Sequence, residues 1–72
     1  MTIFIGKGSL NRYSQTKTIR HPIMVNEVSK ILKLPKGIAE NLIVVKQNKK
    51  LNDDDLIHDE DQIHIFFAAM GG

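Results

Sequence analysis

Only one stretch of this chain has apolar residues at helical spacing: from Met24 onward, Val25, Val28, Ile31 and Leu32 recur on one face. Strand-like segments lie on both sides of it, so the helix is expected to pack across a sheet, and the 72-residue chain is expected in the α+β class. Pro22 suits the first helical turn, where a missing N–H costs nothing. Pro35 restricts the residue before it and Gly37 can supply a left-handed exit, which predicts a stop near Leu34.

The strands follow from alternation and from apolar runs. In residues 2–5, Ile3 and Ile5 alternate with Thr2 and Phe4 as in a half-buried strand, and Gly6-Lys7-Gly8-Ser9 supplies turn chemistry. Residues 13–19, rich in Thr and polar alternation, read as the returning strand of a hairpin. Leu42-Ile43-Val44-Val45 is a continuous apolar run that suits a strand buried on both faces. Gln47-Asn48-Lys49-Lys50 reads as a turn, Leu51 as a strand remnant, and residues 52–56 as a capped single helical turn.

Asp59-Glu60-Asp61 closes that loop and leads to the last strand, residues 62–67. There Ile63, Ile65 and Phe67 share one face, with Phe67 anchoring the strand end in the core, while His64 and Phe66 share the other. The order strand, strand, helix, strand, short strand, strand predicts a mixed sheet of four to five strands with one main helix packed across it.

Size and composition narrow the function. A chain of 72 residues buries only about 60% of its unfolded surface, which argues against a deep enclosed active site and favours a binding or carrier role. The ten Lys and Arg are dispersed among eight Asp and Glu, so the net charge of +2 implies no direct nucleic-acid partner. Without cysteine there is no disulfide framework and no thiolate nucleophile. Residues 1–5 lack the basic region and long apolar core of a signal peptide, and no apolar run approaches the ~20 residues that span a bilayer. The expectation is a soluble cytoplasmic protein with no membrane partner.

The last fourteen residues carry the most specific pattern. Asp59-Glu60-Asp61-Gln62-Ile63-His64-Ile65-Phe66-Phe67-Ala68-Ala69-Met70-Gly71-Gly72 resembles the ending of the ThiS/MoaD family of sulfur-carrier proteins, distant relatives of ubiquitin: Asp-Gly-Asp-x-Ile, a short apolar stretch, then Gly-Gly. Val25-Asn26-Glu27-Val28 in the helix is a weaker match. Glu60 stands where the family usually has glycine, and Lys46-Gln47-Asn48-Lys49 only loosely follows its usual Val-Asn-Gly turn.

The resemblance implies a ubiquitin-like β-grasp domain over residues 1–67 and a flexible tail over 68–72. It further implies a protein co-substrate and not an enzyme. Gly72 would be adenylated by a ubiquitin-activating-type adenylyltransferase that uses ATP, the carrier itself binding no cofactor or metal. A sulfurtransferase would then convert Gly72 to a thiocarboxylate. The sulfur would pass to an acceptor enzyme such as thiazole synthase or the large subunit of molybdopterin synthase, or to a thiolated tRNA base. Chain length and Asp61-Gln62-Ile63 favour the thiamine thiazole.

Physical chemistry supports such a terminus. A carboxylate is a poor electrophile and needs activation before sulfur can displace a leaving group. Glycine has no Cβ and tolerates nearly any backbone angle, so Gly71 and Gly72 can thread a narrow channel, with Ala68, Ala69 and Met70 forming its slim approach. Phe4, Phe66 and His64, all expected to point away from the helix, would form the patch on which a partner docks.

Other constellations read more simply. Gly6-Lys7-Gly8-Ser9 lacks the spacing of a Walker phosphate loop. Asp53, Asp54, Asp55, Asp59 and Asp61 lack the order of an EF-hand, and His21, His58 and His64 fall at no metal-ligand spacing. Two alternatives stay open: a ubiquitin-like modifier conjugated to lysines through Gly72, and a plain β-grasp interaction domain.

Overall fold

A computed structural model describes residues 1–68. In chain order the elements are β1 (Thr2–Gly6), a 3-10 helix (Gly8–Tyr13), β2 (Gln15–Lys17), β3 (Ile23–Met24), a 3-10 turn (Val25–Glu27), α1 (Val28–Ile31), α2 (Lys36–Ala39), β4 (Leu42–Lys46), β5 (Lys49–Lys50), β6 (Leu56–Ile57) and β7 (Gln62–Phe67). The main sheet has five strands in the order β2-β1-β7-β4-β5. Its two central strands, β1 and β7, run parallel with Phe4 opposite Ile63 and Ile5 opposite His64. β4 flanks β7 antiparallel, with Ile43 opposite Phe66 and Val45 opposite His64. The architecture is thus α+β with a mixed sheet, as the order of periodicities predicts.

The helical stripe packs where its spacing directs it. Val25, Val28 and Leu32 are buried against Phe4, Val44, Ile57, Ile63 and Ile65, with Ile31 partly buried beside them. The start lies later than Pro22 suggests. Ile23 and Met24 form β3, which pairs with β6 in a separate two-stranded sheet. The first helical donors are met by the following loop, Val25 N–H donating to the Asp55 carbonyl at 3.0 Å and Asn26 N–H to that of Asp53 at 3.2 Å. Glu27 reaches back to accept the Met24 N–H at 2.8 Å. Residues 52–56 are accordingly a turn and strand β6, not the helical turn expected of them; the Asn52 N–H donates to Asp55 Oδ2 at 2.7 Å.

The helix ends on Lys33, not on Gly37. Lys33 takes the left-handed conformation at φ 56°, with its N–H donating to Lys30 O at 3.2 Å and the Leu34 N–H to Ser29 O at 2.9 Å. This is the paired-bond cap usually closed by glycine. Gly37 instead lies inside α2, whose first turn is set by Pro35: its carbonyl accepts the Ile38 and Ala39 N–H groups. Lys33→Gly removes the cost of placing a Cβ in left-handed backbone and should raise stability by about 0.5–1 kcal/mol. The check is a higher urea midpoint at unchanged slope.

The connection from β1 to β2 is a 3-10 helix, not a tight hairpin turn. It folds back under β1 and buries Leu10 completely. Gly6 makes that crossing possible, because a Cβ built there would overlap the carbonyl carbon and oxygen of Leu10. Thr2 and Phe4 share this face of β1 with Gly6, and both are fully buried. β4 is buried on one face only: Val44 points into the core and Ile43 and Val45 are half-buried on the other side. Phe67 shares the inner face with Ile63 and Ile65 but is 42% exposed, so the anchoring expected of it is weak.

Candidate functional site

Among the described residues no element covers the face of the main sheet opposite the helix, and that face is apolar. Register places Ile5, His64 and Val45 in one row across β1, β7 and β4, Phe66 beside Ile43 in the next, and Ile3 between Thr16 and Gln62. Ile3 is 44% and Phe66 38% exposed, while Ile5, Ile43, Val45 and His64 are half-buried by their neighbours alone. Lys50, opposite Val45, sits at the margin of this surface. Five apolar side chains around one imidazole form the kind of contiguous patch that marks a contact site.

Of the residues expected in that patch, Phe66 and His64 lie on it and Phe4 does not. Phe4 belongs to the core at 0% exposure. The parity of β1 is opposite to that expected, since Gly6 must face the 3-10 helix and Phe4 is two residues away on the same side. The same parity brings Ile3 and Ile5 onto the open face. Ile43 and Val45 join them once the register of β4 is known. The available sequence signal was Gly6 itself, a strand-end glycine marking close backbone approach.

β7 ends at one corner of this face. The Ala68 N–H donates to the Asn41 carbonyl at 2.7 Å, so pairing with the α2–β4 connection continues one residue past β7. Asn41 is itself fixed, its Nδ2 donating to Gly37 O at 3.1 Å. Ala69, Met70, Gly71 and Gly72, expected to carry the terminal chemistry, lie outside the described residues.

Two carboxylates fix the loop that leads into β7. Asp59 Oδ1 accepts from Thr2 Oγ1 at 3.1 Å and from the Ile19 N–H at 3.4 Å. Asp61 Oδ2 accepts the His58 N–H at 2.8 Å, and its Oδ1 lies 3.1 Å from Lys46 Nζ. The Asp61 carbonyl receives the Ile3 N–H at 3.1 Å, which sets the start of the parallel ladder. Burial pushes both carboxyls upward, but donors prevail: the Ile19 amide, the Thr2 hydroxyl and the Met1 amino group hold Asp59 below its ordinary value, and the His58 amide and Lys46 do the same for Asp61.

This arrangement has a consequence for acid stability. Because both folded-state pKa values lie below the ordinary carboxylate value of about 4, the unfolded chain takes up protons first as pH falls. The contribution of these two groups is complete above about pH 4 and drains away as pH drops through the folded-state values. Urea midpoints measured across the acid range should fall in that window, and Asp61→Asn should flatten the slope.

Three left-handed residues bear on the loops. Glu60 has φ 78°, and Gln47 and Asn48, in the turn between β4 and β5, have φ 52° and 64°. Among the described residues, no three His, Asp or Glu side chains come together as a metal site, and no helix is long and apolar enough to cross a membrane. No protein-family model matches the chain, and no curated protein does either.

Proposed function

We propose that the chain is a sulfur carrier of the ThiS/MoaD type with a β-grasp fold, acting as a co-substrate of partner enzymes. The observation that carries this reading is the position of the chain's exit. β7 runs through the middle of the apolar face and delivers Phe66, Phe67 and Ala68 to its corner. A partner seated on Ile3, Ile5, Ile43, Val45 and Phe66 therefore has Ala68, the residue from which the chain continues to Gly72, at the edge of its footprint. The strand order with parallel central strands is what a β-grasp requires. The left-handed backbone at Glu60 and in the Gln47-Asn48 turn is what glycine in the family's Asp-Gly-Asp and Val-Asn-Gly segments would provide.

In this reading a carboxylate oxygen of Gly72 attacks the α-phosphorus of ATP on an adenylyltransferase and releases pyrophosphate. The terminal sulfur of a sulfurtransferase persulfide attacks the acyl carbon and AMP leaves. A thiol then cleaves the S–S bond of the resulting acyl disulfide, forming a disulfide with the sulfurtransferase and releasing the thiocarboxylate, which donates its sulfur to the acceptor. The thiazole of thiamine is the preferred destination, ahead of molybdopterin and thiolated tRNA. Mass spectrometry tests this on protein recovered from cells and on protein incubated with the activating enzyme and ATP. Oxygen replaced by sulfur at Gly72 is the expected result. Gly72 found without sulfur or AMP under both conditions rejects the reading, and lysine conjugates that vanish on deletion of Gly72 would identify a modifier instead.

A further inference from the structure

The main sheet ends at β2, and among the described residues no further strand pairs with that edge. The Ile3 N–H turns toward β7, donating to Asp61 O, and the Lys7 N–H does likewise to Ile65 O, so alternate residues of β1 pair with β7. The intervening residues, Thr2 and Phe4, therefore pair with β2, where they face Lys17 and Gln15. Thr16, between those two, is left with its N–H and C=O directed outward at the free edge, and it is exposed.

Beside this edge runs a groove between the 17–23 segment and the helix. Ile19, Ile23 and Ile31 give it an apolar floor, and Lys17, Arg20 and His21 stand along its rim. Glu27 is the one acid there, and its carboxylate is engaged by the Met24 N–H. Among the described residues, neither Lys17 nor Arg20 has a carboxylate within ion-pair reach; the three ion pairs join Met1 to Asp59, Met1 to Glu60 and Lys46 to Asp61. The opposite edge strand, β5, is two lysines long.

From the outward-facing Thr16 backbone, the apolar floor and the uncompensated basic rim, we infer that the β2 edge is a second docking site. Its occupant is an extended peptide segment of a partner, with aliphatic residues on one face and acidic residues next to them. Such a segment adds as a strand to β2 through main-chain hydrogen bonds. Alternate aliphatic side chains enter the groove over Ile23 and Ile31, and the acids meet Lys17 and Arg20. The site is separate from the open face of the sheet and does not depend on sulfur chemistry at Gly72.

The test is a titration of the isotope-labelled chain with the peptide acetyl-Glu-Val-Thr-Ile-Asp-Val-Asp-Asp-amide, read in amide spectra. Saturable shifts at Thr16, Lys17, Thr18, Arg20 and Ile31 are expected. The double variant Lys17→Glu, Arg20→Glu, both at exposed or half-exposed positions, should weaken binding about tenfold or more. A peptide N-methylated on alternate residues should lose a comparable factor, since it cannot complete the ladder. The inference is overturned by any of three results: no saturable shifts, shifts centred on Ile5 and Phe66, or equal affinity for a peptide with lysine in place of each acid. Unchanged binding of both N-methylated registers overturns the strand addition without any protein variant.

Discussion

Gly6→Ala should be the most damaging single substitution of a small residue in this protein, costing about 3 kcal/mol, the upper end for forced overpacking. The added Cβ meets backbone: the carbonyl carbon and oxygen of Leu10 lie in its place, with Leu10 Cβ close behind. No side-chain rotation relieves that overlap, so the 3-10 helix of residues 8–13 must move. Its movement would uncover Leu10, now fully buried, and would strain the bond from the Gly6 N–H to Ser14 Oγ at 2.9 Å. A domain of this length has on the order of 5 kcal/mol of stability in all, so much of it would be lost. Gly37→Ala is the internal control. A Cβ there meets nothing within 4 Å, and the site is helical, so that variant should gain about 0.5–1 kcal/mol. Urea midpoints of opposite displacement are expected. An unshifted Gly6→Ala would mean that the 3-10 helix is not held against β1.

Phe66→Ala and Phe4→Ala should separate docking from folding. Phe66 is an exposed aromatic on the apolar patch, and such residues are where binding energy concentrates. Its truncation should reduce the rate of adenylation by the activating enzyme about 30-fold or more, corresponding to roughly 2 kcal/mol or more, with a stability change under about 1 kcal/mol. Phe4 has no exposure, and its truncation should cost about 3–5 kcal/mol and leave little folded protein. Pyrophosphate exchange and urea unfolding on the same two variants make the comparison. If Phe66→Ala is activated at the wild-type rate, the open face is not where that enzyme docks.

The helix was legible because its information is local. Val25, Val28, Ile31 and Leu32 define a stripe in eight residues, and the stripe is buried as spaced. β3 and β6 were not legible, since two-residue strands have no period and their pairing joins residues more than thirty positions apart. The helix cap was misassigned because glycine is the usual left-handed residue, whereas Lys33 is held there by two backbone bonds. Of the open face, His64 and Phe66 could be read in advance from the alternation of β7. Ile3 and Ile5 turned on β1, where both faces carry large apolar residues and alternation cannot choose between them. Gly6 decides the matter through a contact with Leu10 that becomes visible only once the chain has turned back on itself.

The parallel pairing of β1 with β7 also constrains how the protein comes into being. The middle of the sheet is its last strand in sequence, so β1 waits for a neighbour that the ribosome supplies some sixty residues later. Until residue 67 has emerged, β1 and β4 each lack the strand that joins them, and Ile63 and Ile65, the centre of the core, are absent. The domain thus stays unassembled until β7 has been made, and its folding is a late event dominated by distant contacts.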